Sequence, residues 1–171
     1  MTELRTERLV LRRAKPGDLA AIHAVLSDER AMRYWSSGPH GTLDETKRWL
    51  DSMIDAPPEV GDDFIVTVAG EAIGKLGAWR LPEIGFILRS DQWGKGYAGE
   101  AMRAFIAHAF GTRGVERLTA DVDPRNTGSL RLLQSNGFVE TGRASGTWTT
   151  HIGLCDSVYL ALGRDSWISA G

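Results

Sequence analysis

Gln92-Trp93-Gly94-Lys95-Gly96-Tyr97-Ala98-Gly99 is the stretch on which the reading of this 171-residue chain turns. Before it, Ile84-Gly85-Phe86-Ile87-Leu88 is a short apolar run and reads as a strand. After it, Ala98, Ala101, Met102, Phe105, Ile106 and Ala109 recur at helical spacing, the stripe of a helix with one buried face. The first turn of a helix leaves backbone N–H groups without carbonyl partners, and the aligned peptide dipoles add partial positive charge there. Glycines admit a ligand close to that backbone, so a strand–glycine turn–helix unit suits a phosphate or pyrophosphate.

Gly94, Gly96 and Gly99 also match the GxGxxG dinucleotide fingerprint, and glycine turns before helices occur for purely structural reasons. The phosphate loop of nucleoside triphosphatases is excluded, because no Gly-Lys-Ser or Gly-Lys-Thr occurs. The order of elements around the turn decides between the remaining readings. Upstream, Arg8–Arg12 alternates as a first strand, and Pro16 and Asp18 introduce a helix carrying Leu19, Ile22 and Leu26. Thr42-Leu43-Asp44-Glu45 is a capping box for a second helix with Trp49, Leu50, Met53 and Ile54 on its buried side, ended by Ala56-Pro57-Pro58. Residues 64–68, 73–79 and 84–88 then read as an antiparallel meander, its connections too short for crossover helices. Downstream, residues 117–122 form a strand, and Asp123-Pro124-Arg125-Asn126 leads into a short helix with Leu130 and Leu133. Asn136-Gly137 ends that helix, with Phe138 placed to pack on Leu133, and residues 138–143 and 152–162 close as two strands. A doubly wound dinucleotide domain repeats βαβ units and places its glycine turn directly after the first strand. Asp121 would imitate its ribose-binding acid, but the topology disagrees.

Composition narrows the function classes. The length fits one domain over residues 1–171, 42% hydrophobic and 25% charged, as in ordinary globular proteins. A net charge of −2 argues against non-specific nucleic-acid binding. One cysteine, Cys155, permits no internal disulfide. The start has no apolar signal core and no stretch approaches the ~20 apolar residues of a membrane span, so a cytoplasmic protein without membrane association is expected. His23, His40, His108 and His151 are scattered, and no metal site is expected.

With this order, the sequence resembles the GNAT superfamily of acyl-CoA-dependent N-acyltransferases, most of all the branch that acetylates ribosomal-protein N-termini. Three pieces carry the resemblance: Glu83-Ile84-Gly85-Phe86 with Trp93 to Ala101, Asp123 to Ser129, and Asn136-Gly137-Phe138. The resemblance implies an α/β (α+β) fold, a mixed, mostly antiparallel central sheet of about six to seven strands flanked by about four helices. It implies acetyl-CoA as co-substrate, with the pyrophosphate on the loop Trp93, Gly94, Lys95, Gly96, Tyr97 and Ala98. There Trp93 stands where the family pattern has Arg or Gln. Pantetheine would lie along Phe86, Ile87 and Leu88 and bond Asn126, which also reads as a helix N-cap. Lys95 would screen phosphates or be a solvent-exposed lysine of no consequence.

Acetyl transfer needs a neutral amine nitrogen, a donor for the developing oxyanion, and a proton for the leaving thiolate. The amide of Leu88 or a neighbour suits the oxyanion. Glu83 is the favoured base, with solvated carboxylate as its plain alternative and Asp121, Asp123, His151 and Asp156 in reserve. Many family members place an acidic tyrosine where this chain has Leu133; in the ribosomal-protein branch a serine serves, and Ser129 matches it, unless it merely satisfies first-turn amides. Tyr34, Trp35, Trp148 and His151 would wall an acceptor site for a cation or an apolar amine, or pack beneath loops. The acceptor is a small-molecule amine or a protein N-terminus, the former slightly favoured, and a homodimer is open. The competing readings are a CoA-binding sensor with the same fold and, distantly, a nicotinamide-dinucleotide module.

Overall fold

The computed structural model describes residues 2–170. The chain enters through β1 (Glu3–Arg5) and β2 (Leu9–Arg12), then a 3-10 turn at Pro16–Asp18 runs into α1 (Leu19–Leu26). After α2 (Leu43–Asp55) come β3 (Asp62–Val68), β4 (Glu71–Arg80) and β5 (Glu83–Leu88). The chain continues as α3 (Tyr97–Gly111), β6 (Arg117–Val122), α4 (Thr127–Ser135), β7 (Val139–Thr150), β8 (Gly153–Gly163) and α5 (Arg164–Ala170). All eight strands lie in one sheet of order β1-β2-β3-β4-β5-β6-β8-β7. The mixed, mostly antiparallel α/β architecture agrees with the sequence reading. It adds β1 at one edge, α5 at the end and a longer final hairpin.

The meander forms as its alternation predicts. Ala69 (φ 49°) and Gly70 (φ 83°) make the two-residue turn between β3 and β4, a left-handed pair that suits a tight hairpin. Gly74 is required for a different reason: a Cβ there would sit 2.1 Å from the Ile87 carbonyl oxygen of the adjoining strand. The apolar stripe of α3 (Ala101, Met102, Phe105, Ile106, Ala109) buries against one sheet face with Phe64, Leu76, Ile84 and Leu133. Ile22, Val25, Leu26 and Met32 cover the other face over Ile65 and Ile87. Gly137 (φ 92°) ends α4, with the Phe138 N–H donating to Leu133 O at 3.1 Å and both side chains buried in the first cluster.

The segment between α1 and α2 is held by an internal polar knot. Thr42 Oγ1 caps α2 by accepting the Glu45 N–H at 3.2 Å. One turn on, the fully buried Thr46 hydroxyl bonds His23 Nδ1 at 2.7 Å and His40 Nδ1 at 2.8 Å. Its single proton serves one ring, so the other ring must donate. Burial holds the His40 pKa below its usual 6.5, opposed by Glu45 and reinforced by His23. An imidazole with a lowered folded pKa takes up its proton more readily in the unfolded chain. Its stabilising contribution is therefore complete above about pH 6.5 and falls as pH drops toward the folded pKa. Thr46→Val should cost about 1–3 kcal/mol in urea unfolding at pH 7.5. A loss under 0.5 kcal/mol would show the knot to be dispensable.

Candidate active site

The turn at the start of α3 keeps its amides free. Gly94 (φ 74°) and Gly96 (φ 81°) are left-handed, and Gly96 is an N-cap with no side chain to return to the helix. The first bond of the helix is Glu100 N–H to Gly96 O at 3.1 Å. Among the described residues, no protein acceptor takes the N–H groups of Tyr97, Ala98 or Gly99. The loop is braced from β2, where Arg8 Nη1 donates to Lys95 O at 2.8 Å, its guanidinium lying 4.7 Å from the Tyr97 ring centroid. Glu100 takes Arg8 Nε at 2.7 Å and Thr6 Oγ1 at 2.5 Å. Partial burial raises the Glu100 pKa, but those donors outweigh it and hold the carboxyl ionised, below its usual range. Sequence reading missed this brace, because Thr6 and Arg8 meet the loop only through tertiary pairing.

The strand beside the loop is open along one side. β5 and β6 run parallel and are in register at Glu83↔Thr119, beyond which they diverge. Arg89 N–H bonds Ile73 O at 2.9 Å, so antiparallel alternation turns the N–H and C=O groups of Gly85 and Ile87 toward β4. Those of Phe86 and Leu88 therefore face the opening. The Leu88 carbonyl is already occupied by the Trp93 indole Nε1–H at 3.0 Å. Trp93 thus ties the glycine turn to the end of β5.

Loop, strand and the start of α4 enclose a cleft of about 1260 Å³. Phe86, Ile87, Leu88, Trp93, Gly94 and Gly96 line it, as do Tyr97, Ala98, Asn126 and Ser129. Tyr34, Trp35 and His151 line its other end. Asn126 Oδ1 caps α4 by accepting the Ser129 N–H at 3.2 Å, which leaves its Nδ2 to donate elsewhere. Gly38 packs against His151, so the segment between α1 and α2 touches the tip of the β7–β8 hairpin.

Lys95, Glu83 and Trp148 are not among the lining residues. Lys95 contributes its carbonyl to Arg8. Glu83 is exposed at the first position of β5, without a side-chain partner among the described residues. Trp148, 51% exposed, donates to Asp121 Oδ2 at 3.0 Å. The reserve carboxylates are also engaged: Asp156 Oδ1 accepts Gly146 N–H at 2.8 Å. Asp123 is held well below the usual carboxylate range by Arg125, which makes it a weak base. Leu133 is fully buried in the core and cannot reach the cleft. Among the described residues no group of three or more histidine, cysteine or acidic side chains is gathered to hold a metal, and no helix is long and apolar enough to cross a membrane.

The sequence matches the Acetyltransferase (GNAT) domain family over residues 8–139. The chain belongs to the GNAT acetyltransferases. It is similar to the uncharacterized N-acetyltransferase p20 of Bacillus licheniformis, 30% identical over 151 residues that cover 83% of this chain and 85% of that protein. Two solved structures share the fold. A spermidine N-acetyltransferase from Vibrio cholerae, in complex with CoA and spermine, superposes with TM-score 0.82 at 21% identity over 95% of this chain and 99% of that one. A ribosomal-protein-S5-alanine acetyltransferase from Vibrio fischeri gives TM-score 0.82 at 22% identity over 98% and 99%. GNAT membership makes acetyl transfer to an amine the general chemistry of this protein.

Proposed function

We propose that this GNAT protein transfers an acetyl group from acetyl-CoA to a primary amine, of a small molecule or a protein N-terminus, by direct attack in a ternary complex. The observation that supports it is the row of unpaired N–H groups at the start of α3, opening onto the same cleft as the diverging edge of β5. The amides would hold the pyrophosphate, and the Phe86 and Leu88 backbone would take the pantetheine and carbonyl. The amine nitrogen attacks the thioester carbon, its proton passes to a base, and the C–S bond breaks to release the CoA thiolate, which takes up a proton.

Glu83 would serve as base. Because its carboxylate stands outside the lining, a water would carry the proton to it. Ser129 would face the thiolate. A serine hydroxyl is a far weaker acid than a thiol of pKa near 8.5, so Ser129 stabilises the leaving sulfur by donating a hydrogen bond and relays a proton from solvent. Cys155 is buried and does not line the cleft, which does not suit it to carry an acyl group.

Thiol release from acetyl-CoA across a panel of amines and peptides tests the reading. Glu83→Gln should lower kcat about tenfold or more with little change in CoA affinity, and Ser129→Ala should lower kcat with the chemical step limiting. Wild-type turnover in both variants across pH 6–9 would remove them from these roles. CoA binding without thiol release for any amine would favour the sensor reading. The fold does not choose the acceptor, since a spermidine acetyltransferase and a ribosomal-protein acetyltransferase superpose on it with equal TM-score.

A further inference from the structure

Charge inside the cleft opposes the charge of the chain. The sequence carries a net −2, yet the charged side chains lining the cleft are Arg30, Arg33, Arg125 and Arg131 against one carboxylate, Glu29, all five exposed at its rim. The arginines fall into two pairs. Arg30 stacks 5.2 Å from the Trp93 ring centroid at the glycine turn, and Arg131 lies on α4 beside Leu132 and Ser135 of the same wall. Those two stand where the CoA phosphates would be, and phosphate accounts for them.

Arg33 and Arg125 have no such explanation. They converge on Tyr34, with guanidinium carbons 5.5 Å and 5.9 Å from its ring centroid. Tyr34 lines the cleft with Trp35, Pro39, His151 and Ile152, where the segment between α1 and α2 meets the tip of the β7–β8 hairpin. Arg125 is positioned there from outside, by Asp123 at 2.7 Å and by its contact with Cys155. Asp123 offsets part of its charge. Arg33 has no carboxylate partner among the described residues, and beneath Trp35 lies a further cation, Lys75, buried and paired with Asp63 at 2.7 Å. Tyr34 is thus a platform for the protein's own cations. A polyamine entering this end would meet like charge, while a carboxylate or phosphoryl oxygen would meet two guanidinium groups, that of Arg125 fixed by Asp123 and that of Arg33 without a carboxylate partner.

We infer that the acceptor is a small amine that also carries an anionic group, a carboxylate or phosphoryl, which Arg33 and Arg125 hold against Tyr34 while the body of the molecule packs on Trp35. This specificity rests on the acetyltransferase reading above. It is a statement about recognition, and the transfer step is unchanged.

The test compares phenylalanine, its phosphonate analogue, its carboxamide and spermidine as acceptors, with thiol release from saturating acetyl-CoA as readout. The carboxamide is the fairest control, because its ammonium is the more acidic and supplies more neutral nucleophile at any pH below 9. Intrinsic reactivity therefore favours the amide, and only recognition of the anion can reverse the order. The expected result is that the acid or the phosphonate exceeds the carboxamide in kcat/KM by about tenfold, the worth of one charge-assisted hydrogen bond. Whichever of the two is faster identifies the anion. Arg33→Gln should collapse that ratio toward one, and Arg33→Lys should retain part of it. A carboxamide or spermidine preferred over both anions overturns the inference and leaves acetyl transfer standing. CoA-dependent stabilisation with no thiol release for any acceptor overturns the acetyltransferase reading and this inference together.

Discussion

Gly96→Val should weaken CoA binding by about a hundredfold or more while leaving a folded protein. The expected result follows from two independent obstacles at one residue. Gly96 sits at φ 81°, a left-handed conformation that a β-branched residue adopts only with strain of about 1–3 kcal/mol. A Cβ there would also lie 3.2 Å from Arg8 Nη2, so the brace on Lys95 O must shift. Either outcome moves the Tyr97, Ala98 and Gly99 amides that the pyrophosphate would need. Losing two bonds to a charged oxygen at roughly 1.5 kcal/mol each corresponds to about a hundredfold or more in Kd. Thermal unfolding reads this directly. At 100 times Kd a ligand stabilises by about 2.7 kcal/mol, a shift of roughly 5–11 °C for a chain this size. Wild-type protein should show that shift with CoA and not with NADH, and Gly96→Val at the same CoA concentration should show about 2 °C or less. A variant that still shifts by more than half as much would remove the glycine turn from the CoA site. Arg8→Ala is the companion measurement: it leaves the glycine backbone unstrained and should weaken CoA binding less, through looser placement of the loop alone.

The contrast between the turn and its brace shows what the sequence can and cannot carry. The turn, the strand before it and the stripe behind it are local patterns, and the structure realises them at Ile84–Leu88 and Tyr97–Gly111 with the expected buried residues. The meander was equally legible, because apolar runs between two short turns leave few alternatives. β1 was not. Its three residues, Glu-Leu-Arg, are too few to show a period, and they become a strand only by pairing with β2. The last hairpin is longer than its apolar content suggests, since Arg143–Thr150 is rich in Ser, Thr and Gly and is held as an edge strand by β8. Within the cleft, glycines and aromatics announce themselves by type. Arginines do not: of the chain's many, Arg8 and Arg125 matter because distant segments bring them to Lys95 and Tyr34. Trp148 shows the opposite error, a conspicuous side chain on the right hairpin that turns to Asp121 instead of the cleft.

A second large effect lies far from the cleft. Asp62 opens β3 with its side chain fully buried, and three cationic or potentially cationic groups converge on it. Arg13 Nη2 donates to Oδ1 at 2.7 Å, Arg113 Nη1 lies 3.0 Å from Oδ2, and His108 Nε2 lies 2.7 Å from Oδ2. An ionised carboxylate only accepts, so the His108 ring must carry its proton on Nε2. The ring stands edge-on to Phe64 at 5.4 Å between centroids, with Arg13 over the other side of Phe64 at 4.3 Å. One carboxylate thus joins the start of β3, the segment after β2 and the last turn of α3, the helix whose first turn carries the unpaired amides. Burial pushes the Asp62 pKa up, but its bonds to His108 and Arg13 overcome that and hold it below the usual carboxylate range. A lowered folded pKa gives stability that is full above the unfolded value of about 3.9 and lost as pH falls through the folded one. Asp62→Ala should therefore cost about 3 kcal/mol in urea unfolding at pH 7, at the lower end for breaking a buried ionic cluster because Arg13 and Arg113 are 31% and 23% exposed and recover some hydration. Asp62→Asn keeps the shape and one acceptor, and should lose less. The sign is checked by pH: the gap between wild type and Asp62→Ala should narrow as pH falls below 4, because protonation removes in the wild type what the substitution removes at every pH. A gap that stays constant down to pH 2.5 would mean that Asp62 contributes packing alone, and that its charge does not hold the far end of α3.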